Sequence, residues 1–157
     1  NYHSPNIENI NNILKGSCCV PLLYRKPVYV EGERVIDGGI SDPIPVKKAY
    51  TEGSTDIVVI RSREESHREK KSSIEIKIGL LLYKKNPKLQ KAILNLPNTY
   101  NNSLSFMEKS PSDVNVFQIA PPCCLNASLT STNTQSLEID YWLGRQEGKK
   151  FVLNWSS

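Results

Sequence analysis

The run from Val35 to Val46, VIDGGISDPIPV, constrains the fold more than any other part of the chain. An apolar stretch ends there at a carboxylate, Asp37, which is followed by Gly38-Gly39 and by a turn that contains two prolines. Glycines accept positive φ and let other backbone approach closely, while prolines fix the chain as it leaves the turn. The run therefore predicts an aspartate held at the exit of a strand, with its side chain aimed into a site.

Asp37 has two interpretations on this local pattern. An aspartate at a strand exit is able to accept a hydrogen bond from a nucleophilic hydroxyl and to take up its proton. An aspartate also caps turns, by accepting hydrogen bonds from the backbone N–H groups that follow it. On Asp-Gly-Gly alone the turn cap is the commoner role, so the surrounding residues decide between the two.

The rest of the chain predicts alternating helices and strands. Val28 to Ile36 predicts a β-hairpin that turns at Glu31-Gly32, because β-branched residues flank the glycine. Asp56 to Ile60 is nearly all apolar and predicts a strand of a parallel sheet, buried on both faces. A last strand is predicted over 113–119, and helices over 4–16, 45–50, 73–85, 88–94, 98–109 and 134–147, with Pro97 breaking the pattern. This order is typical of an α/β layered domain.

Composition and charge bound the partners. The net charge of +4 is too small to predict nucleic-acid binding, but a modest attraction to an anionic membrane surface stays open. Residues 61–73 hold nine charged or histidine side chains in which acids offset bases, so a solvated segment is expected. Its basic residues Arg68, Lys70 and Lys71 are the candidate contacts for membrane phosphates. No stretch reaches transmembrane length.

The four cysteines form two adjacent pairs, Cys18-Cys19 and Cys123-Cys124. Adjacent cysteines bridge only with strain, and neither pair has zinc-ligand spacing. We therefore expect small buried thiols in a reducing compartment, which favours the cytoplasm, and we expect neither a metal nor a cofactor. Residues 1–5 lack an initiator Met and a signal-peptide pattern, which predicts that the chain begins partway through a longer protein.

The residues from Ser17 to Val46 resemble those of patatin-like phospholipases in order and spacing. The shared features are a helix end rich in small residues, a proline at 21, an apolar segment, a hairpin, and Asp-Gly-Gly leading to a proline. The residues LLYRKP at 22–27 are most similar to the bacterial subgroup of this family. Weaker similarity at 57–63, 83–89 and 121–144 extends the resemblance over most of the chain.

The resemblance implies a three-layer α/β fold and a Ser–Asp dyad that hydrolyses acyl esters, commonly of lipids. Asp37 matches the aspartate of that dyad, and Gly38 and Gly39 match the glycines that support it. The dyad needs no histidine, so His3 and His67 are expected to be surface residues.

The serine half of the dyad is missing from these residues. The family places its nucleophile in a Gly-x-Ser-x-Gly elbow and stabilises the developing anion with a glycine-rich loop. Neither occurs here. The two nearest matches to the elbow fail, because residues 39–43 have proline where the last glycine is required and residues 16–19 do not fit the pattern. Family topology places both elements N-terminal to the residues seen here. Residues 1–157 are therefore expected to form the C-terminal part of one such domain and to be inactive alone.

Three functions stay open. The first is a serine acyl-ester hydrolase of the phospholipase A type, cytoplasmic or peripheral to a membrane. Its partners would be a lipid or acyl-ester substrate, a membrane surface and the missing N-terminal part of the same protein. The second is a non-catalytic homologue that binds lipid or protein, and the third is an unrelated α/β module in which Asp37 only caps a turn. Tyr141 and Trp142 are candidates for an acyl pocket or, more simply, for helix packing.

Overall fold

The computed structural model describes residues 2–20, 24, 26–70, 77, 80–81, 83–128 and 131–155. It is a mixed α/β structure of helices and two small sheets. By contacts the chain divides into two compact units, residues 1–45 with 69–104, and residues 46–68 with 105–157. The elements are α1 (Ile10–Ser17), β1 (Val28–Val30), β2 (Glu33–Val35), a 3₁₀ turn (Gly38–Ile40), α2 (Val46–Thr51), β3 (Asp56–Ile60), α3 (Pro87–Glu108), β4 (Asn115–Ile119) and α4 (Thr134–Trp155).

The first unit contains the predicted hairpin. Strands β1 and β2 pair antiparallel, with Val28 opposite Val35. The two turn residues, Glu31 and Gly32, have φ of 52° and 80°. Positive φ at both central positions is the conformation whose twist matches that of the flanking strands. The hairpin and the position of its turn are therefore confirmed.

Helix α1 packs against the hairpin through a glycine. Gly16 is buried, and a Cβ built on it would lie 2.5 Å from Cγ2 of Val35 and 3.6 Å from Cγ1 of Val28. No real side chain fits at the shorter distance, so the close approach of helix and strand depends on the missing side chain. This contact fixes β2, and with it the residues that leave β2.

The helix predicted from Ser4 begins later than expected. The side chain of Asn6 accepts hydrogen bonds from the backbone N–H groups of Glu8 and Asn9, at 3.0 and 2.8 Å. The side chain of Asn9 accepts in return from the N–H of Asn6 at 2.7 Å. Side chains of this kind compete with helical hydrogen bonds, so a turn precedes the helix and α1 starts only at Ile10.

The expected break at Pro97 is wrong, because α3 continues through it as one helix of 22 residues. A proline inside a helix removes one backbone hydrogen bond and costs about 3 kcal/mol. Pro97 is fully buried, and Ile93, Tyr100 and Leu104 are buried at the same helical spacing. Burial of this apolar face offsets the cost of the proline.

The second unit contains a parallel pair, β3 and β4, in which Asp56 faces Asn115 and Ile60 faces Ile119. Both predicted strands are confirmed, although the second begins two residues later than expected. The predicted burial of β3 on both faces is wrong for this structure. Ile57 is buried, but 43% of Val58 and 76% of Ile60 are exposed. Among the described residues, therefore, no layer covers the outer face of this strand.

Helix α4 extends beyond its predicted end at Glu147 to Trp155. Its C-terminal part is held to β4 by aromatic contacts, with the Phe117 ring centroid 4.5 Å from that of Trp155 and 6.0 Å from that of Phe151. Packing of these rings continues the helix past Gly144 and Gly148. No helix among the described residues is long and apolar enough to cross a membrane.

The cysteine prediction is correct in one respect and wrong in another. All four thiols are free, as expected, but only Cys19 is buried, and the other three are exposed. The helix predicted over 73–85 and the family-like segment at 22–27 lie largely outside the described residues.

Candidate functional site

Asp37 stands two residues after the end of β2, at the start of the 3₁₀ turn. It is half-buried, and its Oδ1 accepts a hydrogen bond from the backbone N–H of Gly39 at 2.7 Å. Its own N–H donates to the carbonyl of Cys19 at 3.1 Å, which ties the turn to the segment after α1. The strand exit predicted from the sequence is confirmed, and the carboxylate has one oxygen engaged in a turn cap.

Gly39 keeps the carboxylate of Asp37 in this position. A Cβ on Gly39 would lie 3.0 Å from Oδ1 of Asp37, closer than most real Cβ contacts. The same residue donates the N–H that orients the carboxylate. Any larger residue at 39 would press against the Asp37 carboxylate, to which its own backbone N–H donates. The carboxylate position therefore depends on a glycine at 39.

Two serine hydroxyls lie near the turn, and neither hydrogen-bonds to Asp37. Ser41 donates to the carbonyl of Gly38 at 3.1 Å, so its hydroxyl closes the 3₁₀ turn. Ser17 lies at the end of α1, with its Oγ 3.7 Å from the place that a Cβ on Gly38 would take. Within the described residues the structure therefore brings no nucleophile into hydrogen-bond contact with the Asp37 carboxylate.

The N-terminal segment contacts the same loops, which sequence reasoning did not predict. The hydroxyl of Tyr2 donates to a carboxylate oxygen of Asp42, five residues after Asp37. Nδ1 of His3 lies 3.3 Å from a carboxylate oxygen of Glu31 in the hairpin turn. His3 and His67 are both half-buried, so they are less exposed than expected for surface residues.

The charged segment after β3 is organised by a residue that was counted as part of its solvated surface. Arg61 is buried, and its guanidinium donates to the backbone carbonyls of Glu64 and Glu65 at 3.1 and 3.4 Å. It also donates to Oε1 of Gln118 in β4 at 2.8 Å. Carbonyl oxygens replace the water that this cation loses on burial. The sequence signal was its place directly after an apolar strand.

Of the basic residues considered for membrane phosphates, Arg68 is already engaged. Its guanidinium forms an ion pair with Glu108 of α3 and donates to the carbonyls of Glu65 and His67. Lys70 is exposed, and Lys71 lies outside the described residues. This segment is therefore a weaker candidate for a membrane contact than its sequence indicated.

Shifted acid–base groups occur elsewhere in the second unit. Partial desolvation, together with the neighbouring carboxylate of Asp113, raises the pKa of Tyr50, whose hydroxyl donates to both oxygens of that carboxylate. Backbone N–H groups of Asn126 and Ala127 hold the pKa of Asp140 below its usual value. Both groups stabilise local structure. No cluster of three or more His, Cys, Asp or Glu side chains suited to a metal ion occurs in the described part of the chain.

This chain matches a described domain and a curated protein. Residues 86–157 match a domain of unknown function, DUF6363. Over 152 residues the chain is 31% identical to the uncharacterized protein YjjU of Escherichia coli strain K12, and the match covers 97% of this chain and 43% of that protein. The chain thus spans less than half the length of the curated relative it matches. Neither description states an activity, and no solved structure matches the chain.

Proposed function

We propose that this chain supplies the aspartate of a Ser–Asp dyad in a patatin-like acyl-ester hydrolase of the phospholipase A type. The observation that carries the proposal is the geometry of Asp37. A single backbone hydrogen bond at 2.7 Å orients one carboxylate oxygen, and the hydrogen bonds of the described residues leave the other oxygen unengaged. A base that is oriented through one oxygen and open at the other is able to accept the proton of a hydroxyl.

The serine would come from sequence outside these 157 residues. Ser41 is engaged with Gly38, and neither Ser41 nor Ser17 stands in a Gly-x-Ser-x-Gly elbow. The chain alone is therefore expected to be inactive. In the proposed mechanism Asp37 takes the serine proton as the hydroxyl attacks the ester carbonyl, and returns it to the leaving alcohol.

The exposed strand β3 supports the finer fold proposal, a three-layer α/β domain of which these residues are the C-terminal part. Parallel sheets occur almost only where both faces are covered, yet Val58 and Ile60 are exposed here. A two-stranded parallel sheet is also small, since most sheets have four to six strands. Further strands and a covering layer would complete it. The four free thiols accord with a reducing compartment, and we propose the cytoplasm.

Labelling the full-length protein with a fluorophosphonate tests the dyad, because this reagent modifies activated serines. We expect the wild type to be labelled and to hydrolyse short acyl esters. Asp37→Asn and Asp37→Ala should lower kcat by about 10²- to 10⁴-fold, the range for loss of a general base. Asp42→Asn is the matched control, since its amide oxygen still accepts from Tyr2 and it lies in the same loop.

Full activity in folded Asp37→Ala would refute the dyad assignment. Equal losses in the Asp37 and Asp42 variants would show that the loop matters only for its structure. Circular dichroism and thermal unfolding of each variant separate these outcomes from misfolding.

A non-catalytic homologue that binds lipid or protein is the second candidate. It is favoured by one observation, namely that the hydrogen bond from Gly39 already accounts for Asp37 as a turn cap. A folded full-length protein that no fluorophosphonate labels would support this candidate over the hydrolase.

A further inference from the structure

Helix α4 exposes two pairs of apolar side chains on one side. Its residues Tyr141 and Trp142 are 57% and 54% exposed, and Val152 and Leu153 are 61% and 70% exposed. Spacings of three and four residues place these side chains along one side of the helix. The packing expected for Tyr141 and Trp142 is therefore not found among the described residues, and this side has more exposed apolar surface than a solvated helix requires.

Two cations lie among these apolar side chains. Arg145 and Lys149 are exposed, and both line a shallow open depression with Gly148, Val152 and Leu153. The guanidinium carbon of Arg145 lies 5.9 Å from the ring centroid of Tyr141 and 5.7 Å from that of Trp142. Cation–π contact at such distances holds the arginine among the aromatic rings.

No acid offsets these cations on the same side between Tyr141 and Leu153. Glu147 lies on the opposite side of the helix, has 19% of its side chain exposed, and pairs with Lys150 at 2.6 Å. Asp140 is engaged by Asn126 and Ala127. The nearest acid on the exposed side is Glu138, one turn closer to the start of the helix. This side is therefore cationic as well as apolar.

We propose that this side of α4, residues Tyr141, Trp142, Arg145, Lys149, Val152 and Leu153, docks onto the surface of an anionic lipid membrane. Tyr and Trp favour the boundary between headgroups and acyl chains, and nearby cations attract anionic headgroups. A second copy of the chain fits less well, because a symmetric contact would bring the same two cations together. The depression that the described residues form on this side is shallow and open, so it suits a lipid surface, which deforms to meet it, better than the anchor residues of a protein partner. This inference does not depend on Asp37 or on any hydrolytic activity.

Vesicle flotation of the full-length protein tests the proposal. We expect binding to vesicles that contain phosphatidylglycerol, weaker binding to phosphatidylcholine alone, and loss of binding at high salt. Reversing both cations, Arg145→Glu with Lys149→Glu, should weaken binding to anionic vesicles by at least about tenfold. The matched control is Lys88→Glu with Lys91→Glu in α3, which changes the net charge equally at two exposed positions.

Tryptophan fluorescence reports on the same helix. The two tryptophans of these 157 residues, Trp142 and Trp155, both lie in α4. With Trp155 and any tryptophan beyond these residues replaced by Phe, Trp142 should shift to shorter wavelength on anionic vesicles and be quenched by brominated acyl chains. Contact with headgroups alone would leave Trp142 unquenched and would overturn the placement of its ring at the boundary with the acyl chains.

Four results would overturn the proposal. The first is absence of binding to anionic vesicles by the folded protein. The second is an equal loss of binding in the α4 and α3 double variants, which would reduce the effect to net charge. The third is a change of oligomeric state in the α4 variant, measured by sedimentation, without any vesicle binding, which would assign this side to a second copy. The fourth is an acidic protein that the wild type binds and the α4 variant does not, again without vesicle binding, which would assign this side to a protein partner.

Discussion

The two sheets that the described residues form differ in how much of their environment the chain itself provides. The hairpin of β1 and β2 joins strands that are adjacent in sequence, and α1 lies directly against it at Gly16. The pair of β3 and β4 joins strands more than fifty residues apart, and leaves Val58 and Ile60 exposed. The hairpin is thus a complete local structure. The parallel pair, in contrast, has the apolar side chains of a buried strand, and the described residues leave one face of it uncovered.

The difference shows which features are local. A hairpin turn and a neighbouring glycine are enough to seat Asp37, so its position follows from residues 16–39. A parallel strand depends on layers that are distant in sequence, and its burial is a property of the whole assembly. The candidate catalytic residue therefore lies in the region whose structure is specified by its own neighbouring residues.

The largest expected effect separates the two sides of β3. Ile57→Ala should destabilise the chain by about 2–5 kcal/mol, because it empties a buried site. Ile60→Ala should change stability by no more than roughly 0.5 kcal/mol, because that side chain is already exposed. Urea unfolding of both variants measures the contrast.

Measuring Ile57→Ala and Ile60→Ala in the full-length protein as well sharpens this comparison. If a further layer covers β3, the cost of Ile60→Ala should rise toward that of Ile57→Ala. An unchanged, negligible cost would contradict the three-layer proposal.

A smaller contrast compares two helical glycines. Gly16→Ala should cost about 1–3 kcal/mol, since the new Cβ would overlap Cγ2 of Val35. Gly144→Ala, in exposed α4 with no atom within 4 Å of the added Cβ, should stabilise the chain by up to about 1 kcal/mol. Thermal unfolding checks both, and a neutral Gly16→Ala would show that α1 and the hairpin are less tightly joined than described.

The smallest expected effect is an acid-dependent one in the second unit. Hydrogen bonds from Asn126 and Ala127 lower the pKa of Asp140 in the folded chain. Its stabilising contribution is therefore complete above the ordinary aspartate pKa of about 3.9, and is lost as the pH falls through and below that value. The stability difference between wild type and Asp140→Asn should be constant above about pH 5 and should shrink as the pH falls from about 5 to 3. A constant difference over that range would exclude this contribution.

Much of the local structure could be predicted because it depends on neighbouring residues. The turn at Glu31-Gly32, the strand at Asp56 and the place of Asp37 after a strand follow from residue types within a few positions. The start of α1 could not, because Asn6 and Asn9 form a competing turn. The continuity of α3 could not either, because burial of Pro97 offsets its lost hydrogen bond, and burial is a tertiary property.

The site was predictable only in part for the same reason. The role of Gly39 follows from a distance of 3.0 Å to Asp37, which spacing alone does not give. Arg61 looked like one of nine charged or histidine residues in a solvated segment, and only the structure shows that it is buried. The aromatic side chains of α4 matched a packing pattern, yet nothing in the helical period says whether a partner element exists.

The burial of Arg61 also affects which peptide bonds of this loop a protease is able to cut. Trypsin needs an arginine or lysine side chain that is free to enter its pocket, on a segment that is able to extend. The guanidinium of Arg61 lies inside, bound to the carbonyls of the loop that it holds. Arg63 and Lys70, on the same loop, are exposed. Limited digestion should therefore cut after Arg63 or Lys70 first, and reach Arg61 only once the loop has opened.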